Sequence, residues 1–405
     1  MSTKIEISGE TKGERRVLTG NAAAAYGALL ARPDVVALYP ITPQTEVVEL
    51  LSQFHANGLL DAEMIQVEGE NSAMSSIIAA SVAGGRVFTA TSSWGLAFMY
   101  DAFLMAAGTR TPAVMVNVNR ETPGIYSVSC SRQDMMSVRD AGWIQIEVET
   151  TQEVLDTVLM AYRLAEDNDI LLPVMVSYDG YYLSFMSEDM EIPPQEYADR
   201  FLASLKEQPE RLKLVPGGPL GFHAHALLED FMEYRYKHVA AMERTKNKLV
   251  EVEKEFEDIF GRNYHGAVEE YRCEDADIVL MTMGSSTGTA RVAVDKKREQ
   301  GIKVGLVKLR LFRPFPKEIV AKVLKGKKAV GVIDRSVCFG WDGGHLYNET
   351  KAALYDSGQN VKLVDYITGI ASLDITIDHL ERAIDEVGQA AKGKPVKDVT
   401  WLPLE

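Results

Sequence analysis

Two carboxylates stand at one turn of this sequence, in a setting suited to acid–base chemistry. Glu68 and Glu70 follow the apolar run 64–67 (MIQV) and precede the helix-forming stretch 72–83. Turns between a strand and a helix commonly carry the chemistry of α/β proteins. A helix start lowers the pKa of Glu70, whereas burial raises it, so the net direction stays open. The plainer interpretation, that Glu70 only caps its helix, also stays open.

Two further strand ends supply a hydroxyl and a guanidinium. Thr42 lies in the segment 39–43 (YPITP), where the following proline holds the threonine backbone extended and presents its hydroxyl at the sheet edge. Arg120 follows the apolar run 114–118 (VMVNV), and an arginine there can clamp a carboxylate through two parallel hydrogen bonds. The alternatives are an ordinary turn threonine and an arginine paired with Glu121 or another local acid. Together with the two glutamates, these side chains outline a site.

Three other groups of residues carry weaker signals. The turn 284–288 (GSSTG) resembles a small phosphate nest but lacks the G-x-G-x-x-G spacing, so close packing of a strand on a helix explains it better. The charged segment 132–140 predicts a loop and a short helix held by ion pairs, with an unspecific contribution to the mouth of the site. His223 and His225 alternate without nearby cysteine or acidic partners. We therefore predict no metal site in this chain.

Composition argues against several function classes. The chain has 405 residues, 46% of them hydrophobic, which is enough for two or three cores. A formal charge of −15 argues against a nucleic-acid or anionic-membrane partner. No apolar run approaches the about 20 residues of a membrane span, and the N-terminus lacks a signal core. Cys130, Cys273 and Cys338 are too far apart to build a zinc site or an iron–sulfur cluster alone, and as reduced thiols they predict a cytoplasmic protein.

The elements that must position these residues alternate along the first part of the chain. Short β-branched runs predict strands, and the amphipathic segments between them predict helices. The predicted strands are 35–39, 64–67, 87–91, 113–118, 144–148 and 173–178, and the predicted helices are 44–55, 72–83, 96–107 and 152–167. The simplest architecture is a mostly parallel sheet with helices on both faces.

Predicted strands and helices alternate again in the second part of the chain, and this alternation predicts a separate, smaller α/β domain. Its predicted strands are 277–283, 304–310, 330–334 and 361–364, and its predicted helices are 290–300, 316–324, 346–357 and 374–387. The segment between the two parts begins as a proline-punctuated loop. It continues into 237–261, where apolar residues recur at three-, four- and seven-residue steps and predict one long amphipathic helix.

Several short motifs occur in a fixed order along the chain: 39–43 (YPITP), 66–70 (QVEGE), 89–96 (TATSSWGL), 117–120 (NVNR), 139–143 (RDAGW), 281–284 (MTMG), 312–316 (FRPFP) and 334–335 (DR). Their order resembles that in the α subunit of the 2-oxoacid:ferredoxin (acceptor) oxidoreductases, the thiamine-diphosphate enzymes typified by pyruvate synthase. The resemblance covers most of the chain. It implies a pyrimidine-type thiamine-diphosphate-binding parallel-sheet domain at 1–235, a long helical connector at 236–265, and a smaller domain like the C-terminal one of transketolase at 266–405.

The resemblance also implies roles for individual residues. Glu70 would hydrogen-bond the aminopyrimidine ring of the cofactor and stabilise its imino form, whose nitrogen can take the thiazolium C2 proton. Thr42 and Arg120 would bind the substrate carboxylate. The other implied cofactor contacts are Pro40, Ile41, Ser92 and Ser93. The implied reaction is oxidative decarboxylation of a 2-oxoacid to acyl-coenzyme A and CO2, with coenzyme A as co-substrate and electrons leaving through iron–sulfur clusters.

Partner subunits follow from what the sequence lacks. Thiamine enzymes hold the diphosphate through a magnesium ion bound by a Gly-Asp-Gly turn and a later asparagine, and the segment 340–344 (GWDGG) lacks that order. The Mg²⁺ ion needs oxygen ligands, so it is expected in a partner, as are the 4Fe-4S clusters. The resemblance thus implies a hetero-oligomer with a diphosphate-binding β subunit, a γ subunit and a ferredoxin-like iron–sulfur subunit, and an active site at a subunit interface.

Two questions stay open: which 2-oxoacid is the substrate, and whether the chain takes part in catalysis at all. Pyruvate is the commonest substrate in the family, but 129–134 (SCSRQD) departs from the Gly-Asp-His-Ser-Asp run of pyruvate-specific relatives, and Trp94 stands where a smaller polar residue is usual. Phenylglyoxylate, oxalate and 2-oxoglutarate therefore stay open, as do the electron acceptor, ferredoxin or NAD, and the stoichiometry. A second hypothesis is a non-catalytic scaffold or regulatory subunit of such a complex. A flavoprotein subunit is disfavoured because the dinucleotide fingerprint is missing.

Overall fold

Strands and helices alternate through most of the chain. The computed structural model describes residues 13–202, 213–214, 217 and 228–404. The strands are β1 (Glu14–Thr19), β2 (Val35–Leu38), β3 (Glu63–Gln66), β4 (Val87–Thr91), β5 (Val114–Asn119), β6 (Ile144–Glu147), β7 (Val174–Asp179), β8 (Ser187–Ile192), β9 (Val268–Tyr271), β10 (Ile278–Met283), β11 (Val304–Leu309), β12 (Leu311–Arg313), β13 (Ala329–Asp334), β14 (Lys362–Ile367) and β15 (Val399–Trp401).

The helices fill the connections between these strands. They are α1 (Gly20–Ala31), α2 (Thr45–Ala56), α3 (Glu70–Val82), α4 (Ser93–Phe98), α5 (Tyr100–Gly108), α6 (Gln133–Ser137), α7 (Thr151–Ala165), α8 (Tyr182–Phe185), α9 (Gln195–Phe201), α10 (Leu228–Phe260), α11 (Ser286–Glu299), α12 (Lys317–Val323), α13 (His345–Asp356) and α14 (Ile377–Ala390), with a 3₁₀ turn at Ile370–Ser372. Among the described residues, no helix is long and apolar enough to cross a membrane.

Two large sheets carry the fold. The first has the order β12-β6-β7-β5-β4-β2-β3 and is parallel except for β12, and the second has the order β15-β14-β13-β10-β11-β9 and is parallel except for β9. Every residue of β4, β5, β6 and β7 is buried, as expected for parallel strands covered on both faces, and polar side chains such as Asn117, Asn119 and Glu147 are buried with the apolar ones. The remaining strands, β1 and β8, form an antiparallel ribbon.

Some predicted elements differ from the observed ones. The single helix predicted over 96–107 is two helices, α4 and α5, which are separated at Met99, where φ is −89° and ψ is 6°. Helix α1 was not predicted, because its alanine-rich sequence is buried nearly all round and has no amphipathic period. The helix predicted over 237–261 is present within α10 and begins earlier, at Leu228. His223, His225 and most of the preceding proline-punctuated segment lie outside the described residues.

The two sheets are joined by a strand and by buried charges. Strand β12 comes from the second half of the sequence but pairs with β6 of the first sheet. Directly before it, the fully buried Arg310 pairs with Glu153 of α7 and with Glu253 of α10. Three parts of the chain therefore meet at one guanidinium.

Candidate active site

The predicted site residues converge where the strand order of the first sheet reverses. Strand β2 lies between β3 and β4, so the chain crosses to one side after β2 and returns to the other side before β4. The crevice at the carboxyl ends of strands beside such a switch point is the usual ligand site of open α/β sheets. Four segments leave these strand ends: 39–43 after β2, 67–70 after β3, 92–93 after β4 and Arg120 after β5.

Glu70 is the first residue of α3 and is only 7% exposed. Burial raises the pKa of its carboxyl group, and a hydrogen bond from its own backbone amide opposes that shift only in part. No cation lies within ion-pair distance of it among the described residues. Glu68, in contrast, is exposed and accepts a hydrogen bond from Ser72. The structure thus separates two glutamates that the sequence left equivalent.

The chain packs tightly around the Glu70 side chain and still leaves two hydroxyls without partners. A Cβ atom added at Gly95 would lie 2.6 Å from Glu70 Oε1 and 2.3 Å from Thr91 Oγ1, so only glycine fits there. The hydroxyls of Thr91 and Ser92 are buried and make no hydrogen bond within the described residues. Because a buried polar group without a partner costs free energy, the Thr91 hydroxyl, which meets the same point at Gly95 as the Glu70 carboxyl group, indicates a polar ligand beside Glu70.

Arg120 and Thr42 come together at the opposite side of the crevice. The Arg120 side chain is buried, donates from Nη1 to the Thr42 carbonyl (3.0 Å) and from Nε to the Ser127 carbonyl (2.9 Å), and lies 5.7 Å from the ring centre of Tyr126. It forms no ion pair with Glu121 or with any other described carboxylate, and its Nη2 atom has no partner there. A buried guanidinium with a free donor is suited to an anionic ligand.

The remaining predicted contacts lie at the rim or behind it. Pro40 and the Thr42 side chain are exposed, and Ile41 is half-buried with its amide bonded to Gln44 Oε1 (3.3 Å). Thr42 therefore approaches Arg120 through its carbonyl and not through the hydroxyl that the sequence singled out. Ser93 is buried, and its hydroxyl donates to the Glu121 carbonyl.

Asp134 is a site residue that sequence reasoning undervalued. It lies in the short helix α6, is 1% exposed, and accepts hydrogen bonds at Oδ2 from Ser93 N, Arg120 N and Asn117 Nδ2, each 3.1 Å long. Its Oδ1 atom accepts from Met135 N (2.7 Å). Burial raises the pKa of Asp134 to about 7, although these hydrogen bonds favour the ionised form. The only signal in the sequence was the charged segment around it.

A chain of buried polar side chains continues from Asp134 towards the second sheet. Asn117 donates to Asn119 Oδ1 (2.9 Å), Asn119 donates to Glu147 Oε2 (2.9 Å), and Arg132 Nε donates to Glu147 Oε1 (2.8 Å). Arg132 also donates to the carbonyl of Met283, the last residue of β10. The floor of the site is thus connected to the second half of the chain.

The turn at 284–288 packs against this network and does not form an open phosphate nest. Gly284 has a φ of +57°, and a Cβ atom there would lie 2.7 Å from Glu147 Oε1. The neighbouring Ser285 donates to Asp179 (3.1 Å), which is paired with Arg335. The structure therefore shows close packing at Gly284, which is the interpretation that the sequence favoured for this turn.

The fold and the site together define a class: an α/β protein with a buried acid at a switch point, facing unpartnered hydroxyls, and a second α/β unit behind it. Two solved structures share this fold. The 2-oxoglutarate:ferredoxin oxidoreductase from Magnetococcus marinus superposes with a TM-score of 0.72 at 21% identity, over 92% of this chain and 65% of that one. A split-gene transketolase superposes with a TM-score of 0.54 at 12% identity, over 91% and 98%. The predicted fold class is confirmed.

The chain belongs to the pyruvate flavodoxin/ferredoxin oxidoreductase family. Residues 26–254 match its thiamine-diphosphate-binding domain, and residues 276–380 match pyruvate:ferredoxin oxidoreductase core domain II. The predicted family is thus confirmed, and with it the thiamine-diphosphate-dependent type of enzyme. The described residues fit that cofactor, because a buried carboxyl group and two unpartnered hydroxyls can meet the donors and acceptors of a pyrimidine ring.

Three curated relatives cover almost the whole chain. Pyruvate synthase subunit PorA of Methanothermobacter thermautotrophicus is 43% identical over 96% of this chain and 98% of its own length. The α subunit of NADH-dependent phenylglyoxylate dehydrogenase of Aromatoleum evansii is 41% identical over 95% and 93%. Ketoisovalerate oxidoreductase subunit VorA of Pyrococcus horikoshii is 43% identical over 96% and 98%. These relatives are subunits of oxidoreductases that act on different 2-oxoacids.

Proposed function

We propose that this chain is the α subunit of a coenzyme A-dependent 2-oxoacid oxidoreductase and contributes the acid–base half of its active site. The observation that carries the proposal is the Glu70 carboxyl group, which is buried and has no cation beside it, next to the unpartnered hydroxyls of Thr91 and Ser92. When bound, thiamine diphosphate supplies a carbon nucleophile and an electron sink for decarboxylation. The reaction would convert a 2-oxoacid and coenzyme A into acyl-coenzyme A and CO2.

In this proposal, the work of Glu70 is to hold a proton beside the pyrimidine ring. Burial raises the pKa of the Glu70 carboxyl group, which makes its carboxylate a better proton acceptor and suits a group that exchanges a proton with the ring. The packing of Gly95 against Glu70 fixes the carboxyl group, and Pro40, Ile41, Ser92 and Ser93 follow the ends of the neighbouring strands β2 and β4.

The substrate carboxylate would bind at Arg120. The free Nη2 atom can donate to an anion, while the Thr42 and Ser127 carbonyls hold the guanidinium in place. The rings of Tyr126 and Trp94 lie 6.5 Å apart at the mouth of the site, and Tyr126 stacks on Arg120. Pyruvate, phenylglyoxylate, oxalate and 2-oxoglutarate are the substrates to compare.

Partner subunits complete the proposed enzyme. A β subunit would hold the diphosphate and its Mg²⁺, and a γ subunit and a ferredoxin-like subunit carrying 4Fe-4S clusters would pass electrons to ferredoxin or to NAD. Among the described residues, no group of three or more histidine, cysteine or acidic side chains is arranged to hold a metal ion. We place the assembly in the cytoplasm, which agrees with three cysteines that form no disulfide.

The test is a reconstituted or copurified complex assayed for 2-oxoacid-dependent dye reduction on these four acids. Replacing Glu70 by glutamine removes the exchangeable carboxyl proton and keeps the shape, so turnover should fall by about 100-fold or more. The matched control is Glu68→Gln, because Glu68 is exposed and two residues away, and this variant should keep wild-type turnover. Full turnover in Glu70→Gln would instead favour the non-catalytic scaffold.

A further inference from the structure

The Asp134 carboxylate accepts hydrogen bonds from both the cofactor side and the substrate side of the proposed site. Its Oδ2 atom accepts the backbone N–H of Ser93, at the end of β4, and the backbone N–H of Arg120, at the end of β5. A third donor, Asn117 Nδ2, reaches the same oxygen from within β5. Ser93 belongs to the proposed cofactor side and Arg120 to the proposed substrate side.

The conformation of Ser93 needs such a partner. Its φ is +39°, in the left-handed region that residues other than glycine rarely adopt because it costs free energy. A hydrogen bond from its amide to a buried carboxylate offsets that cost, because charge-assisted bonds are about twice as strong as neutral ones. The bond therefore holds the start of α4, and with it the unpartnered hydroxyl of Ser92.

We infer that Asp134 is a positioning residue whose carboxylate sets the distance between the cofactor-binding turn at Ser92 and Ser93 and the substrate-binding Arg120. The inference rests on the proposed function. Asp134 itself is 1% exposed, and both of its carboxylate oxygens accept hydrogen bonds from within the protein, so it acts through these two residues and not on the reactants. Its support is buried as well, since Asn117 continues through Asn119 to Glu147 and Arg132.

The test is Asp134→Asn in the assembled complex. Asparagine keeps the shape and one acceptor oxygen but loses the charge, which weakens all three bonds at Oδ2. The expected result is a rise of about tenfold in KM for the 2-oxoacid and in the Kd for thiamine diphosphate, with a smaller change in kcat, because the lost interactions serve binding. The Kd is measured by titrating protein fluorescence, without turnover.

A matched control separates positioning from general packing. Asp156 is equally buried and accepts three hydrogen bonds from Arg262 and Tyr264, at the contact between the two halves of the chain. Asp156→Asn should lower thermal stability without changing either constant. Equal shifts in both variants, or unchanged constants in a folded Asp134→Asn complex, would overturn the inference.

A second variant and the wild-type assay test the inference even if Asp134→Asn does not assemble. If Asp134→Asn does not assemble, Asn117→Ser removes one donor and leaves the carboxylate, and it should raise the same two constants by less; no rise would count against the inference. Failure of the proposed function looks different, since the wild-type complex would then show no 2-oxoacid-dependent dye reduction. Failure of this inference alone leaves the wild type active and the Asp134→Asn constants unaltered.

Discussion

Glu70 shows how the surroundings of one residue decide its chemistry. The hydrogen bond from its own backbone amide at the start of α3 favours the ionised carboxylate, but burial outweighs this bond and raises the pKa. Arg120 shows the same principle for a cation, because it is buried and its neighbours are carbonyls and a ring instead of a carboxylate. Both side chains thus keep part of their bonding capacity for a ligand.

Gly95 provides a prediction at the residue scale. Gly95→Ala places a methyl group 2.3 Å from Thr91 Oγ1 and 2.6 Å from Glu70 Oε1, so the carboxyl group must move. Overpacking of this kind costs about 1–3 kcal/mol, and we expect cofactor affinity to fall by about tenfold or more. The measurement is a fluorescence titration of the complex with thiamine diphosphate.

Gly108→Ala is the matched control for that variant. Gly108 is also helical, but a Cβ atom there meets nothing within 4 Å. Because alanine favours a helix over glycine by up to about 1 kcal/mol, this variant should keep its affinity and gain slightly in thermal stability. Unchanged cofactor affinity in Gly95→Ala would mean that the carboxyl group of Glu70 does not face the ring.

At the scale of elements, the contact between α7, α10 and the end of β11 depends on Arg310. Its Nε atom donates to Glu153 (2.6 Å), its Nη1 atom to Glu253, and its Nη2 atom to Thr157 (2.8 Å). Lys308, also buried, donates to Glu153 and Glu149. Burial opposes the charged form of Arg310, but these partners outweigh it and raise its pKa.

Removing the arginine should therefore destabilise the joint between the two sheets. Arg310→Met leaves Glu153 and Glu253 buried with fewer partners, which costs about 3–5 kcal/mol in comparable buried pairs. Urea unfolding of the purified chain measures the loss. Lys317→Met is the control, since the Lys317–Asp356 pair is exposed (54% and 58%) and its loss should leave the unfolding midpoint unchanged. An unchanged midpoint for Arg310→Met would contradict this account of the joint.

At the scale of the whole molecule, large apolar side chains are exposed on a loop that is hydrogen-bonded to Gln133, the neighbour of Asp134. Phe339 and Trp341 are 81% and 67% exposed. The loop that carries them begins at Val337, whose backbone N–H and carbonyl form hydrogen bonds with the side chain of Gln133, the residue before Asp134. Exposed apolar patches of this kind mark protein–protein contacts. We expect the proposed diphosphate-binding subunit to contact this loop.

The corresponding prediction concerns assembly. Phe339→Ser and Trp341→Ser should each weaken binding of the diphosphate-binding subunit by about tenfold or more, because aromatic residues carry much of the energy of interfaces. Surface-immobilised partner and purified chain give the Kd directly. Tyr355→Ser is the control, since Tyr355 is 85% exposed on α13. An equal loss in the control, or none in the other two variants, would place the partner elsewhere.

The sequence by itself determined most strands of the two large sheets and the motif residues at their ends. Strands such as β4 and β5 are rich in apolar and β-branched residues, and Glu70, Thr42 and Arg120 lie in or near the turns after such strands, because strand propensity and turn chemistry are local properties. The family followed from the order of these motifs. The domain limits at 235 and 265 and the role of each site residue stay predictions.

Only the tertiary structure decided which of these residues act together. It buried Glu70 and exposed Glu68, turned the carbonyl of Thr42 instead of its hydroxyl towards Arg120, and placed Asp134 under both sides of the crevice. Burial and hydrogen-bond partners depend on chain segments far apart in sequence, as Arg132 and Met283 show. No local sequence pattern specifies such contacts, so the electrostatics of the site arise only when the sheet has formed and its strand ends lie together.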